Sequence, residues 1–180
     1  MIKIEHLVLP TQEQIYFAME GMRNPHNSWD RQDTPETSDS IFMGTNDLKL
    51  AATLSKGGAV HRKDMRQLQV GMRITAPLFW WKEFDTYRNG VEKNSCSTMH
   101  KIHAAPFDIS QFSFETVETD GDVKELKLIH SIVDTLNDMR ALYLSNKANG
   151  NVEESNKYWR FMIELLPSAY NQTRNVTCSY

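Results

Sequence analysis

Cysteine is scarce in this sequence, and long hydrophobic runs are missing. Only Cys96 and Cys178 occur among the 180 residues, and no apolar run approaches the roughly 20 residues of a membrane-spanning helix. The first residues alternate apolar with polar side chains, which indicates a strand rather than a secretory signal. We therefore expect a cytoplasmic protein without membrane contact, in which both cysteines stay reduced thiols.

An excess of one charge is also missing. Twenty Lys and Arg residues oppose 23 Asp and Glu residues, so the formal net charge is −3 at pH 7. A protein that attracts nucleic acid through its overall field is strongly basic. No nucleic-acid partner is therefore expected, and any anionic ligand must be held by a local cluster of cations.

The residues that are present predict a packed globular protein. Hydrophobic residues make up 40% of the chain and aromatic residues 10%, and the length is that of one ordinary domain. We therefore expect a single domain over residues 1–180. Helical and strand patterns both occur, which predicts an α/β (α+β) fold with a small mixed or antiparallel sheet and several long amphipathic helices.

The first half of the chain contains two predicted helices between two predicted strands. Ile2–Leu9 alternates like a strand, and Thr11 with Gln14 forms a capping box for a helix that ends near Gly21 to Asn24. A long polar connection over 24–46 follows. Asn46 and Asp47 are predicted to cap a second helix, and alternation over 67–75 predicts the second strand.

The second half is predicted to be mainly helical. Pro77 fits the first turn of a helix over about Leu78 to Tyr87, and Arg88 to Pro106 has the composition of an irregular linker. Apolar residues at helical spacing predict a long helix from about Asp122 to Asn146, and another helix starts at Asn151. The last segment is predicted to be helical and to end at Tyr180 inside an element that once continued.

Three segments follow one another in the middle of the chain: Thr75-Ala76-Pro77-Leu78-Phe79, Asp85-Thr86-Tyr87-Arg88 and Asn94-Ser95-Cys96-Ser97. Their order is a strand, an Ala-Pro-aliphatic-Phe helix with a basic end, and a loop rich in Asn and Ser. This order resembles the flavin-dependent thymidylate synthases, in which such a helix ends in Arg-His-Arg and is followed by a loop with Asn-Glu, Ser and Arg-Tyr.

Two flanking segments extend the resemblance, which covers roughly Leu48 to Ile102 and Tyr158 to Tyr180. The turn from Lys56-Gly57-Gly58 to His61 resembles the family's Gly/His turn, and Leu166-Pro167 to Arg174 resembles its Leu-Pro helix start. The resemblance implies FAD as cofactor, a pyrimidine nucleotide as ligand, methylation of dUMP with methylene-folate, and a homotetramer with active sites between subunits. The implied residues are Ser97 and Arg88 for catalysis, His61, Arg88 and Asn94 for the cofactor, and Lys82, Ser97 and Arg174 for the substrate.

Several positions depart from the family pattern. Thr86 and Tyr87 stand where Arg and His are expected, so that Arg88 alone matches the triplet. Gln67 stands at the position of a flavin-contacting His, and Asn94 and Ser97 match only with a shift of one residue. Because an Arg supplies a planar, bidentate phosphate donor that Thr cannot replace, these changes describe a diverged member. A non-catalytic binding protein that kept the fold is therefore the alternative.

The residues also permit interpretations that do not depend on the resemblance. Hydroxyls and cations between Lys82 and Lys101 suit a phosphate, although a solvated charged face has the same composition. Phe79 and one Trp of Trp80-Trp81 are predicted to belong to the core. A weaker alternative is a metal-dependent enzyme, since Cys96, His100 and His103 are soft ligands at close spacing.

Overall fold

The computed structural model of the protein describes residues 2–114, 117 and 123–179. In this part of the chain, six α-helices and four strands alternate with short 3-10 turns. The strands are β1 (Lys3–Val8), β2 (Gln69–Pro77), β3 (Val91–Ser95) and β4 (Asn171–Ser179). The helices are α1 (Gln12–Arg23), α2 (Thr45–Ser55), α3 (Leu78–Phe84), α4 (Thr98–Lys101), α5 (Lys124–Ala148) and α6 (Val152–Leu165).

The four strands form one sheet in the order β1-β2-β4-β3. The sheet is antiparallel, as the backbone bonds beside β3 and β4 illustrate: the Cys96 N–H donates to the Thr173 carbonyl, and the Ser179 N–H donates to the Gly90 carbonyl. The predicted α+β class with a small antiparallel sheet is confirmed. The predicted strand over 2–9 is confirmed as well.

The chain divides into two compact units. The first contains Ile74–Tyr87 and Asn94–Arg174 together with the described residues up to Ile4, and the second contains Glu5–Arg73, Arg88–Lys93 and the described residues from Asn175 onward. The expectation of a single domain remains a prediction.

The core of the first unit lies between α5 and α6. Leu136 of α5 and Met162 of α6 are fully buried, and aromatic residues from the preceding loop pack beside them. The predicted long helix is confirmed over Lys124–Ala148, while the predicted start at Asp122 lies outside the described residues. Asn151 precedes α6, as predicted.

The core of the second unit lies under α1. The predicted capping box is present, because the Thr11 hydroxyl accepts from the Gln14 N–H and the Gln14 side chain accepts from the Thr11 N–H. The buried face of α1 carries Ala18 and Met19. Apolar residues of α2 pack against that face.

The long connection between α1 and α2 is fixed by buried polar groups. The Asp47 carboxylate lies 2.7 Å from the Arg23 guanidinium and accepts from the backbone N–H groups of Asp33 and Thr34. The Gln12 amide donates to the Phe42 carbonyl and accepts from the Phe42 N–H. The polar loop predicted over 24–46 is therefore pinned to both helices.

Three secondary-structure predictions are wrong. The final segment is strand β4 and not a helix, because Asn171–Ser179 pairs with strands that are distant in sequence. The predicted linker over 88–106 contains strand β3 and helix α4. Asp47 does not cap α2; the Asp33 carboxylate accepts from the Asn46 and Asp47 N–H groups, which releases Asp47 for Arg23.

The search for membrane-spanning elements gives a negative result for the described residues. None of the helices there combines the length and apolar character required to cross a bilayer.

Candidate functional site

The six sequence-predicted site residues differ in exposure. His61, Lys82, Arg88 and Asn94 have exposed side chains, whereas Ser97 and Arg174 are partly buried. His61 lies in the turn after α2, Lys82 on α3, and Asn94 in strand β3 rather than in the predicted loop. Ser97 lines a cavity of the first unit.

Arg174 is held by partners within the first unit. Its guanidinium lies 4.2 Å from the Trp81 ring centre, donates to the Asp85 carboxylate at 2.8 Å, and donates through Nε to the Gln172 side-chain oxygen at 2.8 Å. The Arg174 side chain is 14% exposed. These contacts fix the position of the guanidinium within the first unit, and the assignment of Arg174 to the substrate stays a prediction.

Gln172 connects Arg174 to the segment that carries Ser97. Its amide nitrogen donates to the Cys96 carbonyl at 2.9 Å, while its amide oxygen accepts from Arg174. The Cys96 N–H donates to the Thr173 carbonyl at 3.1 Å. Both backbone groups of Cys96 are therefore bonded to β4, and the position of the following residue, Ser97, is fixed.

A cavity of about 170 Å³ with a mixed polar and apolar lining lies between this segment and β4, within the first unit. Its walls come from two stretches, Cys96–Ile102 and Tyr170–Thr173. The Ser97 hydroxyl accepts from the His100 N–H at 3.1 Å at the start of α4 and keeps its own O–H available for donation. This cavity is smaller than the 300–1,000 Å³ typical of sites that enclose a whole ligand, so that it fits a single ligand group such as a phosphate.

The lining of the cavity includes four residues whose side chains carry hydrogen-bond donors. Ser97, Thr98 and Tyr170 contribute hydroxyls, and Lys101 contributes an ammonium group. Among the described residues, the Thr98, Lys101 and Tyr170 side chains have no hydrogen-bond partner. Burial, with a smaller effect of the Cys96 thiol, raises the pKa of the Tyr170 phenol, so this hydroxyl remains a proton donor at neutral pH.

Helix α3 presents its aromatic residues in two different environments. Trp81 is fully buried and donates through its indole N–H to the Gln172 carbonyl, which confirms the prediction that one Trp belongs to the core. Phe79 is 46% exposed, so its predicted core position is wrong. The helix starts where the Leu78 and Phe79 N–H groups donate to carbonyls of Tyr170 and Ser168.

The segment after α3 does not supply the donors that a flavin dinucleotide requires. The Thr86 hydroxyl donates to the Glu83 carbonyl at 2.8 Å, and the Tyr87 ring lies 6.1 Å from the Phe84 ring. Arg88 is the single guanidinium at these three positions. Two linked phosphates are best bound by several cationic or bidentate donors, so the residues present here do not fit FAD at this segment.

The structure does not support the alternative of a metal-dependent enzyme. Within the described ranges, no group of three His, Cys, Asp or Glu side chains is arranged to hold a metal ion. Cys96 and His100 are exposed, whereas His103 packs 4.7 Å from the Tyr143 ring. Burial and the nearby cations Lys147, Lys101 and Arg140 lower the pKa of His103. The predicted Cys96, His100 and His103 cluster is therefore wrong as a metal site.

The sequence patterns did not identify the residues in and next to β4 that line the cavity. They placed Lys101 only at the end of a segment rich in cations and hydroxyls. Tyr170 and Gln172 were assigned to a helix, although Thr173, Val176 and Thr177 nearby have high strand propensity. That composition was the available signal, and a strand assignment would have placed alternate residues on one face.

Comparison with known proteins rests on structure alone. No protein-family model matches the sequence, and no curated protein matches it.

Solved structures do match. The chain is similar to thymidylate synthase ThyX from Helicobacter pylori, crystallised with FAD and dUMP, with a TM-score of 0.63 and 14% identity over 99% of this chain and 78% of the other. It is also similar to the UMP/dUMP methylase PolB from Streptomyces cacaoi, bound with 5-Br dUMP, with a TM-score of 0.56 and 12% identity over 99% and 73%. The resemblance found in the motifs is thus matched in three dimensions, and the chain has the fold of the flavin-dependent thymidylate synthases, with a sequence that has diverged from them.

Proposed function

We propose that this protein binds a pyrimidine nucleoside monophosphate and holds its phosphate in the cavity beside Ser97. The observation that carries this proposal is the donor set of the cavity: an ammonium from Lys101 and hydroxyls from Ser97, Thr98 and Tyr170. Phosphate oxygens are strong acceptors, and charge-assisted bonds to them are stronger than neutral ones.

The choice of a pyrimidine nucleotide rests on the fold. Two proteins that share it were crystallised with dUMP or with 5-Br dUMP. Proteins of one fold often bind different ligands. The support for nucleotide binding by this chain therefore comes from the hydrogen-bond donors of the cavity beside Ser97. A cavity of about 170 Å³ accommodates one charged end of such a ligand, and the remainder would lie outside it.

The proposal does not extend to methyl transfer. FAD would have to be held at the end of α3, where Thr86 and Tyr87 are engaged locally and Arg88 is the only guanidinium. Methylation of dUMP with methylene-folate depends on a bound flavin, so the structure gives no route to that step. The function supported best is nucleotide binding by a protein that kept the fold and changed the flavin segment.

Lys101→Met tests the phosphate site. We expect dUMP affinity, measured by isothermal titration calorimetry, to fall by about tenfold or more, because a charge-assisted bond contributes roughly 1.5–3 kcal/mol. Deoxyuridine, which lacks the phosphate, should bind the parent and the variant equally. Lys49→Met on α2 is the matched control, since Lys49 is exposed and does not line this cavity. Equal dUMP affinity in the parent and Lys101→Met would contradict the proposal.

We also propose a homo-oligomer, by analogy with the homotetramer that the resemblance implies. Exposed apolar side chains on the helices of the first unit support it, since Leu128 is 62% and Val152 68% exposed. Sedimentation velocity would test this proposal, and a single species at the monomer mass of 20.8 kDa would contradict it.

A further inference from the structure

The second unit contains a larger cavity that the nucleotide proposal does not use. It has a volume of about 400 Å³, within the range of small-molecule sites. Helices α1 and α2, the loop before α2 and the turn before β2 form its walls. The lining is almost entirely apolar and includes the three methionines Met19, Met43 and Met65.

One charged residue lines this apolar cavity. Asp64 is 5% exposed and is the only ionisable residue among those described in the walls. It precedes the 3-10 turn Met65–Gln67, where its carboxylate makes no capping hydrogen bond. Within the described part of the chain, this carboxylate has neither a hydrogen-bond partner nor an ion-pair partner.

The neighbouring polar groups are committed to other contacts. The Ser55 hydroxyl, the other polar side chain of the lining, donates to the Ala52 carbonyl at 2.9 Å. The Arg66 guanidinium, two residues after Asp64, donates to the Ala59 carbonyl at 2.8 Å. The Asp64 carboxylate therefore has no donor among the described residues, yet its oxygens keep some access to solvent, so they can accept hydrogen bonds from a ligand.

We propose that this cavity binds a small arylalkyl amine or aryl amidine, with its ring among the methionines and its N–H groups donating to Asp64. Thioethers make favourable contacts with aromatic rings and adapt to their shape, which favours a flat ring over an aliphatic chain. A cationic nitrogen forms a charge-assisted bond to the carboxylate. The site is independent of the nucleotide cavity, which lies in the other unit.

Three probes with the same ring and different charge test the proposal. These are 2-naphthylmethylamine, 2-naphthalenemethanol and 2-naphthylacetate, titrated into the parent protein by calorimetry. We expect the amine to bind about tenfold or more tighter than the alcohol, because a hydrogen bond to a charged group is stronger than a neutral one. The acetate should bind weakest, since it brings a second carboxylate beside Asp64.

Two variants and one control test whether the preference for the amine arises in this cavity. Asp64→Asn removes the charge at nearly constant shape and should make the amine and the alcohol bind equally, whereas Asp30→Asn, at an exposed position outside the lining, should change nothing. Ala51→Leu fills the cavity and should weaken all three probes. Thermal unfolding of each variant shows whether it is folded before titration.

Methyl NMR of the parent protein gives a test that does not depend on whether a variant folds. Binding of the amine should shift the Met19, Met43 and Met65 methyl resonances and leave Met162, in the core of the first unit, unchanged. The proposal is overturned if the three probes bind alike, if none binds, if Asp64→Asn keeps the amine preference, or if the shifted methionines lie outside the cavity.

Discussion

At the scale of single residues, the Asp47 carboxylate organises the second unit. It is fully buried, and its partner Arg23 is 4% exposed. The two residues of this ion pair are 24 positions apart in the sequence. The backbone N–H groups of Asp33 and Thr34 also donate to the Asp47 carboxylate. A buried charge that loses its partner is more costly than the intact pair is stabilising, because the remaining charge stays desolvated.

Asp47→Ala should therefore lower the free energy of unfolding strongly. We expect a loss of about 3–5 kcal/mol, the range for breaking a buried pair, measured by urea denaturation. Asp30→Ala, at an exposed position, is the control and should change stability by less than about 0.5 kcal/mol. A loss of similar size in both variants would contradict this role of Asp47.

The same carboxylate makes stability depend on acidity. Burial opposes its ionisation, but hydrogen bonds from Thr34, Arg23 and Asp33 together lower the pKa of Asp47 below its ordinary value. A lowered folded-state pKa stabilises the fold above the unfolded-state pKa, and that contribution is lost as pH falls through the folded-state value. The stability difference between the parent and Asp47→Ala should therefore shrink below about pH 4.

At the scale of elements, α3 and β4 are joined through Arg174. Asp85, at the end of α3, is 46% exposed in its side chain, so the ion pair contributes little. The stacking on buried Trp81 and the bond to Gln172 are shielded from solvent and carry more of the stabilisation.

Arg174→Lys tests whether the contacts with Trp81 and Gln172 stabilise the fold more than the charge of Arg174 does. A lysine keeps the charge but loses the planar group, so we expect the free energy of unfolding to fall by about 1–2 kcal/mol, measured in urea. Arg160→Lys on the exposed face of α6 is the matched control. If Arg174→Lys proves as stable as the parent, charge alone accounts for the contact.

The elements also differ in how well local patterns predicted them. Helices α1, α5 and α6 were predicted because their caps and apolar spacing lie within a few residues of one another. Strands β3 and β4 were missed because they are defined by partners far away in the sequence. A half-exposed strand such as β3 carries too little apolar alternation to be recognised alone.

At the scale of the whole molecule, the fold predicts flavin binding, whereas the residues after α3 predict that flavin does not bind. The fold is shared with a protein crystallised with FAD and dUMP. The donors after α3 suit neither flavin phosphate, since Thr86 is bonded to Glu83 and Arg88 stands alone among the three triplet positions.

We therefore expect the purified protein to lack flavin absorbance and to gain no thermal stability from FAD. Added dUMP should raise the unfolding temperature, because a ligand at 100 times its Kd stabilises the native state by about 2.7 kcal/mol. A yellow protein whose unfolding temperature rises with FAD would contradict this expectation and would support methylation of dUMP as the function.

Arg88→Ala tests what the resemblance implies for nucleotide binding. Arg88 is exposed and matches the last position of the family triplet. If it contacts phosphate through a charge-assisted bond, dUMP affinity should fall by about 1.5 kcal/mol, which is roughly tenfold. Arg31→Ala, another exposed arginine, should leave the affinity unchanged. Unchanged affinity in Arg88→Ala would remove this residue from the site.

The sequence by itself determined the α+β class, the main helices and the order of motifs that matches the fold. Each of these depends on residues that are close in the chain or on their order. Only the tertiary structure decided which polar groups are available to a ligand. Arg174 and Asp85 are 89 residues apart and bonded to each other, whereas Ser97 and Tyr170 line one cavity. Such pairings depend on strand register and burial, which local sequence patterns do not contain.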